Sequence, residues 1–406
     1  MTALDTDIEA IEGGITAAVG FRAAAVPCGI KADGLDLALI VSDLPASAAG
    51  VFTTNLAVAA PVVVCREHLE RSSGIARAIA VNSGCANACT GDAGMTSARE
   101  MAKAVARTVA CPVEHALVAS TGVIGLPLEI AKVKSGISAA ADRLDRGSNQ
   151  AVAKAIMTTD PWPKETAVRV RTPSASFMIG GVVKGSGMIE PMMATMLGFL
   201  ATDASIDPAR LRQALVSVTD ETFNAITVDG ECSTNDSVFL LANGASGVAV
   251  DDTVYPFFVA GLKQVCSVLA REIVRGGEGA TKLVAIRVTG ANTQDEAKRA
   301  ARAIANSPLV KTALHGGDPN WGRLVAVAGR AGVGFELGRA RVRIGPAVLY
   351  ENDTAWADRE PDAAEHMRGS EVEVEVSLGT DGHAEATVWT CDLSAEYVRI
   401  NADYRT

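Results

Sequence analysis

Apolar and polar positions follow two periods along this chain. Near the N-terminus the apolar runs are short and broken by glycine, proline and small polar residues. The runs 35–40, 50–53 and 61–65 each read as a short strand. Ile79, Ala80 and Val81 form another, ending in Asn82-Ser83-Gly84-Cys85-Ala86-Asn87-Ala88-Cys89-Thr90-Gly91, a turn dense in hydrogen-bonding groups. The period then changes. Segment 97–109 predicts a helix, with Ser97 and Glu100 at capping-box spacing and Met101, Val105 and Val109 on one face. A strand over 116–120 stops at Thr121-Gly122, helices follow over 127–144 and 150–157, and 167–170 and 177–183 read as strands.

In the middle of the chain, Lys184-Gly185-Ser186-Gly187 is a turn feeding an apolar run, 196–201, bounded by Asp203. Thr195 stands at the first position of the predicted strand. On residue type alone, a small hydroxyl at the edge of a core strand is structural. Beyond it, 207–224 predicts a helix with Leu211, Leu215 and Val218 toward the core, 238–241 a strand, and 255–275 a long helix closed by Gly276-Gly277. From 283 the pattern restarts with a strand over 283–288. Thr293 to Glu296 caps a helix through 306, and 316–323 is a turn-rich loop. Strands follow over 342–344, 371–377 and 384–389. The restart puts a domain boundary near 285, dividing 1–284 from a smaller unit, 285–406.

Composition narrows the class. A chain of 406 residues with 48% hydrophobic content is long enough for two domains with substantial cores. The net charge is −10 and no Lys/Arg run occurs, which argues against nucleic acid or an anionic membrane as a main partner. The eight cysteines are scattered, and a chain of this length needs no disulfide staples. Segment 44–65 carries no charge, but Pro45, Thr53-Thr54-Asn55 and Pro61 interrupt it, so it does not read as a membrane span. The N-terminus lacks the basic and apolar regions of a signal peptide. A cytoplasmic protein with reduced thiols is the expectation.

Most familiar chemistry is missing. The five histidines are isolated, and Cys85 and Cys89 have no further ligands at metal-site spacing, so no metal is expected. Gly276 to Lys282 is glycine-rich but lacks phosphate-loop spacing and carries Glu278 where a phosphate would sit. No nucleophile elbow or marked triad is visible. One scheme needs none of these. A threonine made N-terminal by chain cleavage gains an α-amine, whose reference pKa of about 7.7–8.0 suits a general base near neutral pH. One residue then supplies nucleophile and base together. A strained turn at Gly185 and Gly187 would help the hydroxyl reach the preceding carbonyl.

The stretch from Lys184 to Asp203, Lys-Gly-Ser-Gly-Met-Ile-Glu-Pro-Met-Met-Ala-Thr-Met-Leu onward, resembles the self-cleavage segment of the ornithine acetyltransferase family, the glutamate N-acetyltransferases of arginine biosynthesis. Val51 to Asn55, Val81 to Gly84 with Ala86 to Ala88, Ser120 to Gly125 and Met157 to Asp160 are similar to that family too. So are Asp229 to Asp236, Gly316 to Arg323 and Tyr397 to Thr406, so the resemblance covers essentially the whole chain.

The resemblance implies an α/β fold of stacked β-sheets flanked by helices, of the N-terminal-nucleophile-like aminopeptidase and ornithine acetyltransferase kind, with a smaller α/β C-terminal domain. It implies fragments 1–194 and 195–406 that stay together, as an α2β2 heterotetramer. By position, Thr195 is the nucleophile, and the Thr121 hydroxyl and Gly122 N–H form the oxyanion hole. Thr158, Lys184, Glu278, Asn401 and Thr406 join Thr195 in holding substrate, with Thr159 a near-equal rival to Thr158. The implied reaction moves acetyl from N-acetylornithine to glutamate through an acetyl-Thr195 ester. It needs no cofactor; acetyl-CoA enters only as a co-substrate of some members, and transfer alone is the first expectation. Two rivals stand beside it: a related amidase or aminopeptidase in which water replaces glutamate as acceptor, and a non-enzymatic binding or assembly protein that keeps the scaffold uncut.

Overall fold

The computed structural model describes residues 7–190 and 196–403. A nine-stranded sheet occupies the first part of the chain. Its strands are β1 (Asp7–Ile11), β2 (Phe21–Val26), β3 (Leu37–Phe52), β4 (Ile75–Cys85), β5 (Ala116–Val123), β6 (Lys164–Arg171), β7 (Ser176–Lys184), β8 (Leu197–Thr202) and β9 (Ser237–Ala242). The order is β1-β6-β7-β8-β9-β3-β4-β5, with β2 also paired to β3.

The long strand β3 joins the two halves of this sheet. Residues 37–42 pair with β2 and residues 47–52 with β9, while β4 runs along the opposite edge. The β3–β4 register breaks between Val41 and Ala46. Pro45 lies in that gap and has no N–H to give a ladder, so the strand can change neighbours there.

Side-chain alternation then builds the layers. Phe199 and Phe239 stack with centroids 6.1 Å apart and share a core with β2–β5. Leu200 and Leu240, on the other face, pack with the helices α5 (Pro208–Glu221) and α6 (Tyr255–Arg275). The outer face of β2–β5 is covered by α1 (Ala60–Arg71), α2 (Gly91–Thr108) and α3 (Ile130–Ala141), with α4 (Asn149–Ala155) beside β2. The stacking runs helix, sheet, sheet, helix. These layers match the expected architecture, with hydrogen bonds continuous from one leaf to the other.

Three local expectations need correction. Segment 61–65 is not a strand but part of α1: Pro61 sits in the first turn, where a missing N–H costs nothing, and the run of valines is too short to show its period. The helix expected from Ser97 starts at Gly91, so Ser97 and Glu100 lie inside it and cap nothing. The expected loop 316–323 is only a connection, because α8 (Pro308–Gly316) ends and α9 (Trp321–Gly329) begins within it.

The second sheet has six strands: β10 (Leu283–Ala291), β11 (Arg341–Ile344), β12 (Ala347–Glu351), β13 (Thr354–Ala355), β14 (Glu371–Ser377) and β15 (Ala384–Cys391), in the order β13-β12-β11-β14-β10-β15. Its apolar face packs on α7 (Gln294–Ala305), α8, α9 and α10 (Glu360–Met367). The Thr293 hydroxyl accepts from the Glu296 N–H at 3.2 Å and Glu296 Oε2 accepts from the Asn292 N–H, a cap close to the expected one. Leu283 and Cys391 enter the core beneath α6, which ties the second sheet to the first. The exposed helix α11 (Ala395–Asp403) follows. Among the described residues, no helix is long and apolar enough to cross a membrane.

Candidate active site

A cleft with about 840 Å³ of open space lies where the ends of β5, β7, β8 and β9 converge beneath α11. Thr121, Gly122, Thr158, Thr159, Lys184, Glu278 and Asn401 all line it. Residues scattered from 121 to 401 are therefore gathered in one place. Ala194, Thr195 and Thr406 lie outside the described residues. Ile189 and Met196, on either side of the 191–195 stretch, both line the cleft.

Each wall has a local cause. Thr121 and Gly122 sit at the end of β5, where the register with β4 shifts at Gly84 and Cys85. Gly122 has φ +126°, and a Cβ there would lie 2.4 Å from the Gly84 carbonyl carbon. Only glycine allows both the conformation and the approach. Behind this corner, Asn235 donates to the carbonyls of Ala86 (2.6 Å) and Ser120 (2.9 Å), and Ser120 donates to Asn82 (2.6 Å). This buried network fixes the two strand ends to the segment before β9.

Lys184 is the last residue of β7 and pairs with Leu197, the first residue of β8. Its Nζ donates to Thr121 Oγ1 at 3.3 Å. An ammonium group has only donors, so the threonine oxygen accepts and its own O–H stays free to donate into the cleft. Burial pushes the Lys184 ammonium below its usual range, against the pull of Asp160, Asp236 and Glu278.

Asp160 anchors the turn beyond Lys184. Its Oδ1 accepts from Lys164 Nζ (2.6 Å) and from the Gly185 N–H (2.7 Å), and its Oδ2 from the Thr158 N–H (3.1 Å). Burial alone would raise this carboxyl. The ammonium groups of Lys164 and Lys184, with the hydrogen bonds from Lys164 and Gly185, outweigh burial and hold it below the usual carboxylate range.

Asp229 clamps the next turn, accepting from the N–H groups of Met188 (2.7 Å) and Ile189 (2.8 Å). Met188 is held at φ +57° there. The Tyr397 hydroxyl of α11 reaches the same carboxylate at 3.3 Å.

Glu278 is buried, and its N–H donates to the Ser186 carbonyl at 2.9 Å. Its carboxylate lies so close to Gly187 that a Cβ there would stand 2.4 Å from Oε2. Asn401 Nδ2 donates to Glu278 Oε2 at 2.7 Å, which turns one face of α11 toward the cleft.

The cleft thus combines a cation, a carboxylate, a hydroxyl donor and amide groups, the set that an amino acid and its acyl group require. Among the described residues, no cluster of three or more His, Cys, Asp or Glu side chains is placed to hold a metal ion. Asp160, Asp229, Asn235, Asp236 and Tyr397 had no part in the sequence-level site. Their only signal was their place inside or beside stretches that resemble the family; nothing in their spacing marked a role.

The chain is 47% identical over 405 residues to an arginine biosynthesis bifunctional protein ArgJ of Symbiobacterium thermophilum, covering 98% of this chain and all of the relative. It is 46% identical to the protein of the same description from Gloeobacter violaceus, over 98% of this chain and all of that one. The solved structure of a Bacillus halodurans arginine biosynthesis bifunctional protein aligns with a TM-score of 0.50 and 40% identity, over 52% of this chain and 100% of the solved one. An ornithine acetyltransferase of Mycobacterium tuberculosis, solved in complex with ornithine, aligns at 38% identity and a TM-score of 0.43, over 46% of this chain and all of that one. A model of the ArgJ family matches residues 22–406. The chain belongs to the ArgJ family, the acetyltransferases of arginine biosynthesis.

Proposed function

We propose that the chain cuts itself between Ala194 and Thr195 and then carries acetyl from N-acetylornithine to glutamate as an ester on Thr195. The observation that carries this reading is the convergence on one cleft. Ile189 and Met196 bring the chain into and out of the same space that Thr121, Gly122, Lys184 and Glu278 line. The solved Bacillus halodurans chain adds support. Its full length corresponds to 52% of this one, and 195–406 is just over half of 406 residues.

In the first half-reaction the free amine of Thr195 takes the hydroxyl proton as the oxygen attacks the acetyl carbon. Negative charge develops on the acetyl oxygen, where the Thr121 hydroxyl and the Gly122 N–H serve as donors; each such donor contributes about 3–4 kcal/mol. The substrate carboxylate pairs with Lys184 and an ornithine ammonium with Glu278, oriented by Asn401. Thr158 or Thr159, and Thr406, complete the pocket. Ornithine leaves, glutamate attacks the ester, and acetylglutamate departs. No cofactor is required.

The relatives' description as bifunctional supports acetyl-CoA as a second acetyl donor. The fragments 1–194 and 195–406 stay together as an α2β2 heterotetramer in the cytoplasm, with 285–406 as the smaller domain.

A denaturing gel tests the reading: two bands of similar size are expected from the purified protein. Thr195→Ala leaves one band and no turnover. Mass spectrometry of protein incubated with N-acetylornithine shows an acetyl adduct on the peptide that begins at Thr195. Release of acetate in place of acetylglutamate would identify a hydrolase instead.

A further inference from the structure

The proposed self-cleavage leaves one proton unassigned. When the Thr195 hydroxyl attacks the Ala194 carbonyl carbon, the peptide nitrogen must depart as an amine. It needs a proton to do so, and the hydroxyl must lose one. Asp236 is placed to manage both.

β9 begins at Ser237, which pairs in parallel with Leu197. The Ser237 N–H donates to the Met196 carbonyl at 3.0 Å. Asp236 therefore stands alongside Met196, the residue that follows Thr195 in the sequence. The hydroxyl and N–H of Ser233 and the N–H of Met196 face the Asp236 carboxyl. Asp236 lines the cleft and is 3% exposed. Its Oδ2 is buried and has no hydrogen-bond partner among the described residues.

The charged or titratable groups facing it are Lys184 at the end of β7 and the Cys232 thiol from the segment before β9. Lys184 is shared with Thr121 and Asp160 and is not committed to Asp236. A buried carboxylate with one bare oxygen is costly, so the group stays protonated. Burial pushes Asp236 well above the usual carboxylate range, outweighing Ser233, Lys184 and Met196.

Resting on the reading above, we propose that Asp236 is the proton carrier of self-cleavage, a neutral acid that gives its proton to the departing Thr195 nitrogen and receives the proton of the Thr195 hydroxyl. The oxygen–carbon bond to Ala194 forms and the carbon–nitrogen bond between Ala194 and Thr195 breaks. Asp236 ends as neutral as it began. Water then hydrolyses the ester, giving the Ala194 carboxylate and restoring the hydroxyl.

The test follows the full-length chain made by cell-free synthesis with a radioactive label, sampled on denaturing gels across pH. Asp236→Asn keeps the shape and neutrality but has no acid proton. Cleavage is expected to slow about 100-fold or more, with an unchanged circular dichroism spectrum, and Asp236→Glu should restore part of the rate. The wild-type rate should fall as pH rises through the ionisation of Asp236, and the residual rate of Asp236→Asn should lack that fall. Cleavage of Asp236→Asn at the wild-type rate overturns the proposal. So does a slowed variant that keeps the wild-type pH profile, since that marks a structural role. If Asp236→Asn does not fold, the wild-type profile decides: no alkaline fall, no proton carrier. Wild type cut and Thr195→Ala whole, run in parallel, keep the proposed function standing whichever way Asp236 falls. A wild-type chain that stays whole sinks both.

Discussion

Two buried carboxyl groups flank Lys184, and the cleft treats them in opposite ways. Asp160 uses both oxygens, accepting from Lys164, Gly185 and Thr158, and is held ionised below the usual range. Asp236 has one oxygen without a partner among the described residues and is pushed far above that range. Both are nearly inaccessible, so depth does not separate them. The number and charge of the donors does. A carboxylate that is fully bonded anchors backbone. One left half-bonded keeps its proton and can pass it on.

The hardest way to break this contrast is Asp160→Ala. It strands the Lys164 ammonium, which has no exposed side-chain surface, and removes the acceptor for two N–H groups. Losing one partner of a buried pair costs about 3–5 kcal/mol. Asp236→Asn should cost no stability near neutral pH, because the folded group is neutral in both proteins while only the wild-type unfolded chain gains by ionising there. Both are best measured by urea unfolding in the Thr195→Ala background, where the proposed cut is absent and the chain is one piece. Equal costs at the two positions would show that the two sites do not differ.

The same contrast explains what the sequence could and could not reveal. The helix Tyr255–Arg275 was legible to the residue, because Phe258, Leu262, Val265, Leu269 and Ile273 repeat at helical spacing over about four turns. The Thr293 cap was legible because its partners lie within a few residues. The start of α2 was missed, since Gly91 to Gly94 carries no cap and Thr90, its first neighbour, makes no capping bond. Lys184, Glu278 and Asn401 were found only through resemblance; alone, each would pass for a surface charge or a frayed end. Asp160 and Asp236 were not singled out at all. Lys164 lies only four residues from Asp160, but Gly185 reaches Asp160, and Met196 reaches Asp236, from distant parts of the chain, and no local period encodes that. Periodic burial is written in neighbouring residues, whereas donor count at a cleft is written in the topology.

The pH dependence of stability gives a second, smaller break. Both carboxyls share the ordinary reference value of 3.8. For Asp160 the folded value is depressed, so its contribution is present above pH 3.8 and is lost as pH falls below it. For Asp236 the folded value is raised, so its contribution is complete below pH 3.8. It declines as pH rises, until the folded group ionises. Each slope is at most about 1.4 kcal/mol per pH unit. Urea unfolding across pH should show Asp160→Asn flattening the acid limb alone, and Asp236→Asn flattening the decline above 3.8 alone. A variant that alters the other's limb would mean that the two groups titrate as one.

Lys184→Met makes the finest cut, because it removes a cation that both carboxyls feel. Each then loses a partner that favoured its charged form, and both ionisations move upward. For Asp160 that narrows the gap to the reference value and shortens the acid limb. For Asp236 it widens the gap and extends the decline to higher pH. Lys164 and the Gly185 N–H still hold Asp160, and burial still dominates Asp236, so neither limb should disappear. The informative result is the sign. One substitution should weaken the acid-side dependence and lengthen the alkaline-side decline in the same protein. If both limbs shrink together, Lys184 is not shared between the two carboxyls, and the division of the cleft into an anchor and a proton carrier must be redrawn around a different cation.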